Sequence, residues 1–368
     1  MELTPFLKSL LTTSGLSAYE TPASTIIADA WRPLVDEIQY SRIGSLEALK
    51  KGSRTSATLS TGTSAAPGAN PSIMLAAHMD AIGMMVTKVQ DGFLRVTQIG
   101  GVDARVLPGT PVTIHASGGG KTEELAGIVV QPAARLLPAS MADTPVPMDH
   151  LFIETGLLPK EVAAKVQVGD LVSYATEPVE LAGDALAGHS LDNRASVAVL
   201  TVALDELKKK THTWDVWAVA TAQEEVTLGG AFTSAHGLRP SLAVAVDVTF
   251  AKGPGANGWE TFPFGKGPTL GFGPNLHPFL FKKFEELAKN LEIPYQTEVI
   301  PRHSGTDAYA MQVSAEGIPT MVIGIPLRYM HTPVEVVALK DIQRAGRLLA
   351  EFIAALEPDF VEKIVWDD

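Results

Sequence analysis

The feature that most constrains this chain is a pair of adjacent carboxylates, Glu224 and Glu225, which follows a nearly unbroken apolar segment, residues 216–222. A short run of this kind is typical of a strand buried on both faces of a sheet. Two carboxylates at the end of such a strand repel each other where water screens them poorly, which is costly unless a cation lies beside them. A metal ion is the obvious cation, so we expect the chain to supply further ligands.

Three other apolar segments are each followed by a potential metal ligand, and these ligands are His78, Asp247 and His331. Ligands of open α/β sheets bind at the carboxyl ends of the strands, so we expect these groups to meet at one edge of a sheet. Asp192 joins them from a loop at the start of a predicted helix. Each residue alone is more commonly a turn, cap or surface residue, but their conjunction favours a metal site.

The pattern predicts an α/β fold with a mixed central sheet between helices and an inserted small β-barrel or sandwich. The insertion is indicated by short alternating runs and glycine-rich turns between Met84 and about Pro178. We therefore predict a catalytic domain in two parts, residues 1–84 and 181–368, with a β-domain at 85–180 between them.

Four further segments carry local signals. We predict a hairpin at 36–50, an exposed loop at 51–72, a long functional loop at 251–275 and a closing helix from Val337 to Leu356.

Composition excludes several classes of site and partner. The chain has 368 residues and no cysteine, so disulfides and thiolate metal sites are absent. A net charge of -12 argues against nucleic acid or an anionic membrane as partner. The chain has no uncharged apolar stretch of ~20 residues, so we expect no membrane span. Met1 to Pro5 lack the features of a signal peptide. We expect a soluble, cytoplasmic protein.

The five candidate ligands suit two borderline cations such as zinc or cobalt. A carboxylate shared between two such ions would hold them ~3.5–4 Å apart, the spacing used in aminopeptidases and phosphatases. One glutamate of the pair would then stay off the metals and move a proton between water and the leaving group.

These residues lie in stretches that resemble the tetrahedral (TET-type) metallo-aminopeptidases, a family that includes glutamyl and leucyl aminopeptidases and cellulase M-like proteins. The stretches span most of the chain in the order found in the family, and they are Ala77–Gly83, Leu191–Arg194, Gln223–Val226, Val246–Val248, Ser304–Ala308 and Arg328–Glu335.

The resemblance implies two metal sites that share Asp192. One site would be completed by His78 and Asp247, and the other by Glu225 and His331. The peptide carbonyl would bind a metal, and a hydroxide bridging the two metals would attack it.

The resemblance also implies that Glu224 is the general base and acid and that Asp80 orients His78 through its free ring nitrogen. The inserted domain would serve dimerisation, and the dimers would assemble into a hollow tetrahedral homododecamer that acts on peptides.

The sequence departs from the family pattern at two positions. Ala81 stands where the family has glutamate, and Ser304 replaces the first glycine of its Gly-Gly-Thr-Asp loop. His189 and His303 are further imidazoles near the motifs, with no role that the sequence settles. None of these departures removes a ligand.

Three other functions compete with the aminopeptidase. A deacylase or related amidohydrolase could use the same metals, whereas a glycoside hydrolase needs two carboxylates and no metal. The third is a non-catalytic binding protein. The substrate's first residue is also open, because Arg302 or Lys252 would favour acidic side chains and three loop aromatics would favour apolar ones, namely Trp259, Phe262 and Phe264.

Overall fold

The computed structural model describes residues 2–53, 70–137 and 144–365. In chain order its strands are β1 (Glu37–Tyr40), β2 (Leu46–Lys50), β3 (Ser72–His78), β4 (Gly83–Gln90), β5 (Phe93–Ile99), β6 (Pro111–Ala116), β7 (Glu123–Val130), β8 (Phe152–Glu154), β9 (Leu171–Tyr174), β10 (Val179–Leu181), β11 (Ala185–Gly188), β12 (Asp215–Thr221), β13 (Leu242–Phe250), β14 (Thr269–Phe272), β15 (Gln296–Val299), β16 (Thr320–Arg328) and β17 (Glu335–Ala338).

The helices of the same ranges are α1 (Leu3–Leu11), α2 (Thr21–Trp31), α3 (Pro159–Lys165), α4 (Leu191–Leu207), α5 (Glu224–Thr227), α6 (Gly229–Leu238), α7 (Pro278–Asn290), α8 (Asp307–Gln312) and α9 (Leu339–Ala354). Within the described residues, none of these helices combines the length and the apolar character needed to cross a bilayer.

A mixed sheet forms the larger part of the fold, in the order β1-β2-β12-β3-β13-β16-β17-β11-β10. Off this path, β14 pairs with β16, and β15 pairs with β14. The four central strands, β12, β3, β13 and β16, are parallel to one another. Antiparallel strands flank them on both sides. The long apolar runs of the sequence form these central strands, because only strands covered on both faces need apolar residues at consecutive positions.

Helices cover both faces of the sheet. Ile73 and Leu75 of β3 pack into a core shared with α1, α2, α4, α7 and α9. Met74 and Ala76 point to the other face, where α6 and α8 complete a second core. Successive strand residues face opposite sides, so a single strand supplies both cores. The predicted α/β class, with a mixed sheet between helices, is confirmed.

An inserted barrel leaves the sheet after β3 and returns to it at β10. Six strands close it in the order β4-β5-β8-β7-β6-β9. It has an apolar core of its own, which includes Met84, Leu94, Ile114 and Ile153. The sequence did not distinguish a barrel from a sandwich. The closed ring of six strands shows that the insertion is a barrel. The assignment of residues 85–180 to dimerisation stays a prediction.

Several local predictions need correction. The closing helix begins at Leu339 rather than Val337, because β17 pairs with both β11 and β16 before the helix starts. The predicted loop at 251–275 contains β14, which joins the sheet beside β16. The hairpin is confirmed by the antiparallel pairing of β1 with β2. Most of the predicted loop at 51–72 lies outside the described residues.

Arg194 ties the amino-terminal helix to the edge of the sheet where the candidate ligands lie. Its guanidinium is fully buried and donates to the backbone carbonyls of Leu10, Thr13 and Met79. A buried carbonyl that loses its donor costs about 1–3 kcal/mol, so the three contacts together stabilise this corner of the fold.

Replacing this side chain should therefore destabilise the whole domain. We expect Arg194→Ala to lower the free energy of unfolding by about 3 kcal/mol or more, because it orphans several carbonyls and opens a cavity. Arg239→Ala is the matched control, since Arg239 forms an exposed ion pair with Glu316 and its loss should cost about 1 kcal/mol or less. Denaturant unfolding of the metal-free protein measures both, and equal losses would contradict the assignment.

Candidate metal centre

The candidate ligands converge at one edge of the sheet, as their positions in the sequence predict. His78 is the last residue of β3 and pairs in register with Thr221, the last residue of β12. Asp247 lies within β13, which continues past it to Phe250. His331 follows β16, which ends at Arg328.

Asp192 lies between the two imidazoles. Its Oδ1 is 3.1 Å from His78 Nε2, and its Oδ2 is 3.3 Å from His331 Nε2. The residue lies in the first turn of α4 with ψ 102°, so its backbone is not helical. One carboxylate therefore faces two nitrogen donors with two different oxygens.

The two glutamates face different imidazoles. Glu224 Oε2 is 3.7 Å from His78 Nε2, and Glu225 Oε2 is 3.6 Å from His331 Nε2. The sequence placed them on an extended strand end, which is wrong: they open the short helix α5 after Gln223 at φ 59°. Successive helical residues point about 100° apart, because a turn takes 3.6 residues, so the two carboxylates still diverge.

Asp80 contacts both sides of this arrangement. His78 Nδ1 lies 3.2 Å from the Asp80 carbonyl oxygen and 3.5 Å from its Oδ1. The backbone N–H groups of Glu224 and Glu225 donate to the same carboxylate at 3.0 and 3.2 Å, and the Ser17 hydroxyl donates at 2.6 Å. Asp80 thus lies beside His78, as expected, and it also fixes the backbone of the glutamate pair.

Glu335, like Asp80, fixes the backbone of two candidate ligands, and the sequence did not predict this role. This buried carboxylate accepts the backbone N–H of His331 at 2.8 Å and that of Asp192 at 3.0 Å. Asp307 is a second missed carboxylate; it accepts from the Thr221 hydroxyl at 2.5 Å. Both residues belong to the stretches that carry the family resemblance, but only their tertiary contacts assign them a role.

Crowding shifts the pKa of nearly every donor. Burial raises the pKa of Glu224 to about 10 and that of Glu225 to about 8. Burial works against a charge on His78, yet the surrounding carboxylates, Glu224 foremost, raise its pKa well above the usual range. The hydrogen bond with Asp192 raises the pKa of His331 to about 9. Burial opposes the charge on Asp192, but its bonds with both imidazoles hold its pKa well below the usual range.

The donor set fits divalent metal ions. Ligand atoms of His78, Asp192 and Glu225 lie within 4.8 Å of one another, and the same holds for His78, Glu224 and Asp247. Glu225 Oε1 is buried without a hydrogen-bond partner, so a cation would satisfy it. Imidazole and carboxylate ligands suit zinc and its neighbours among the divalent ions.

A cleft of about 690 Å³ opens beside these donors. His303 lines it, with its ring 5.5 Å from the ring of Tyr309. His189 instead lies buried against Tyr174, bonded to the Ser190 hydroxyl at 2.7 Å. Burial lowers the pKa of His189 to about 3, which keeps this imidazole neutral.

The basic and aromatic residues considered as substrate selectors do not line the cleft. The lining includes none of Lys252, Arg302, Trp259, Phe262 and Phe264. The cleft therefore gives no support to these residues as selectors of the substrate's first residue.

The barrel also contributes to the site. A Cβ built on Gly101 would lie 2.5 Å from His331 Nδ1, and one built on Gly100 would lie 3.3 Å from Glu225 Oε2. The glycine backbone of the loop after β5 therefore packs directly against two of the donors. A side chain at residue 101 would displace the imidazole.

The donor set is suited to a metal-dependent enzyme, and comparison with known proteins gives its family. The sequence profile of the M42 glutamyl aminopeptidase family matches residues 62–348. The chain belongs to this family, and the resemblance drawn from its motifs is confirmed. It is an aminopeptidase.

Individual relatives are similar to this chain over nearly its full length. A lysyl aminopeptidase from Pyrococcus furiosus is 32% identical over 356 residues, which cover 96% of this chain and 97% of the relative. A TET aminopeptidase from a marine sediment Thaumarchaeota archaeon has a TM-score of 0.89 at 28% identity, covering 99% of this chain and 100% of its own. The Pyrococcus horikoshii TET1 peptidase, which can assemble into a tetrahedron or a large octahedral shell, has a TM-score of 0.80 at 26% identity, covering 96% and 100%.

The raised pKa values predict how the metal-free protein responds to pH. Glu225, His331 and Glu224, with pKa values of about 8, 9 and 10, keep protons in the folded state that the unfolded chain has already released. The free energy of unfolding therefore falls as pH rises from 7 to 10. The slope is about 1.4 kcal/mol per pH unit for each group that still holds its proton only in the folded state, so it flattens as each folded pKa is passed. Denaturant unfolding in chelator at several pH values measures this slope.

Metal-loaded protein is the control for this experiment. Bound cations hold the donors deprotonated, so its stability should depend much less on pH in the same window. A metal-free stability that is flat or rises between pH 7 and 10 would contradict the electrostatic account of the cluster.

Proposed function

We propose that the protein removes the first residue of peptides with the help of two divalent metal ions, zinc or cobalt, held at this cluster. The observation that carries the proposal is the position of Asp192, whose two oxygens face His78 and His331 separately at 3.1 and 3.3 Å. Asp192 would be shared, with His78 and Asp247 completing one site and Glu225 and His331 the other.

When bound, such ions act as Lewis acids toward a peptide carbonyl and activate water as the nucleophile. The protein's own part is to hold the donors and to move a proton. The family resemblance assigns the proton to Glu224, whose Oε2 lies 3.7 Å from His78 Nε2, while Glu225 Oε2 lies 3.6 Å from His331 Nε2. Glu224 would take a proton from the attacking water and pass it to the leaving amine.

The contacts of Asp80 support these different roles of Glu224 and Glu225. Its carboxylate accepts the backbone N–H groups of Glu224 and Glu225 together. The two side chains therefore start from one fixed backbone and diverge, so one can bind a metal while the other faces the reacting water. Raised pKa values near a catalytic centre are also what a proton-transfer residue requires.

The two glutamates should respond differently to the same substitution. We expect Glu224→Gln to lower kcat by a factor of about 10² to 10⁴, the usual range for loss of general acid–base catalysis, with metal content unchanged. Glu225→Gln should lower activity and metal content together, because it removes a ligand. Turnover of aminoacyl-anilides, with metal content from plasma emission spectrometry, measures both.

N-terminally acetylated peptides are the substrate control. An aminopeptidase should leave them intact, since they lack the free ammonium, whereas a deacylase would prefer them. Loss of metal in Glu224→Gln, with metal retained in Glu225→Gln, would show that the two roles are reversed.

We further propose that the protein self-associates through the barrel into the homododecamer that the resemblance implies. The support is the assembly of the Pyrococcus horikoshii relative and two exposed apolar side chains of the barrel insertion, Leu158 before α3 and Val168 after it, which are 69% and 68% exposed. A cytoplasmic location stays a prediction.

Mass photometry tests the assembly. We expect the wild type to run as a dodecamer, and the double variant Leu158→Lys with Val168→Lys to form smaller particles, because charged side chains oppose burial at an interface. A wild type that is monomeric at micromolar concentration would contradict the proposal.

A further inference from the structure

The cleft is lined by a carboxylate that the proposed reaction does not use. Glu298 of β15 is half-buried and lines the cleft with Thr249, Ile300, Val322 and Gly324. It is not among the groups that could hold a metal. The metals would engage the donors beside His78 and His331, so Glu298 remains as an unassigned anion.

Strand register places this carboxylate beside the metal-donor cluster. Thr249 lies two residues after Asp247 on β13 and therefore on the same face. Gly324 of β16 is the register partner of Asp247. A Cβ on Gly324 would lie 2.8 Å from Glu298 Oε2 and 2.2 Å from Thr269 Oγ1. The carboxylate thus lies over β16 in space that only glycine leaves open.

Two hydroxyls hold the carboxylate in place. Thr249 Oγ1 donates to Glu298 Oε1 at 2.7 Å, and Thr269 Oγ1 donates to Oε2 at 2.5 Å. A carboxylate offers about four acceptor positions, so each oxygen can accept another hydrogen bond. No lysine, arginine or histidine in the described parts of the chain forms an ion pair with it. Burial raises the pKa of Glu298, as expected of a carboxylate that lacks a cation.

The walls of this part of the cleft are apolar. Val322 lies two residues before Gly324 on β16, on the same face, and Ile300 follows β15. A part of the cleft that is lined by apolar side chains and one carboxylate matches a side chain with an apolar stem and a cationic tip, which lysine and arginine have. A leucine side chain would leave the carboxylate uncompensated, and a glutamate would be repelled.

We propose that Glu298 selects peptides whose first residue is basic, by pairing its carboxylate with the lysine ammonium or the arginine guanidinium. The inference rests on the proposed function, because it assigns the cleft to the side chain of the residue that is removed. The neutral walls hold the stem of that side chain, and the two threonines aim the carboxylate at its tip.

Norleucine isolates the role of charge, because it keeps the apolar stem of lysine and lacks the ammonium. The test measures kcat/KM for lysyl, arginyl, norleucyl and glutamyl anilides with each of three enzymes, which are the wild type, Glu298→Gln and Glu260→Gln. Glutamine keeps the size of glutamate. Its Oε1 can accept from one threonine hydroxyl, and its amide N–H can donate to the hydroxyl oxygen of the other. Glu260 is exposed and does not line the cleft, so its variant controls for the loss of one negative charge.

The wild type and Glu260→Gln should prefer lysyl over norleucyl substrate, and Glu298→Gln should lose that preference by a factor of roughly 30 or more. Its norleucyl activity, melting temperature and metal content should stay near wild type. A wild type without the preference would overturn the proposal. So would an equal loss on every substrate, which indicates that Glu298 binds the α-ammonium or only supports the fold.

Binding without turnover separates this proposal from the aminopeptidase reaction itself. Calorimetric titration with free L-lysine and L-norleucine should show tighter binding of lysine to the wild type and no difference in Glu298→Gln. If no anilide is cleaved, the proposed reaction fails, while the titration still decides on the pocket. Equal binding of the two amino acids to the wild type overturns the role of Glu298.

Discussion

Repulsion among carboxylates at the end of a buried parallel sheet is the constraint on which the site depends. Four of them, Asp192, Glu224, Glu225 and Asp247, surround two imidazoles. Without cations the cluster persists by retaining protons, and burial accordingly raises the pKa of both glutamates. Divalent ions relieve the same repulsion more strongly, because each brings two charges and accepts several donors. A chain without cysteine has only these ligand types available.

The surrounding fold fixes the donors in pairs. Asp80 accepts the backbone N–H groups of the two glutamates, and Glu335 accepts those of Asp192 and His331. Each buried carboxylate therefore holds two donors by backbone contacts and leaves their side chains free for ligation. The barrel adds the loop at residues 100–101, which packs against Glu225 and His331. Donors from separate elements thus keep one geometry, which a shared metal site requires.

The sequence predicted the parts of this arrangement that depend on local pattern. Unbroken apolar runs identified the central strands, and parallel strands bring their ends together, so the convergence of His78, Asp247 and His331 followed. Contacts made only in the folded chain could not be predicted. The backbone bonds of Glu335 depend on the approach of β17 to α4, and the helical start at Glu224 depends on the left-handed backbone of Gln223. Glu298 was missed because its strand is short and its neighbours in the cleft are remote in sequence.

Anomalous X-ray diffraction from crystals soaked in zinc or cobalt tests the central claim most directly. The account predicts two peaks ~3.5–4 Å apart, both in contact with Asp192, one beside His78 and Asp247 and the other beside Glu225 and His331. A single peak under saturating metal, or two peaks that do not share Asp192, would contradict it.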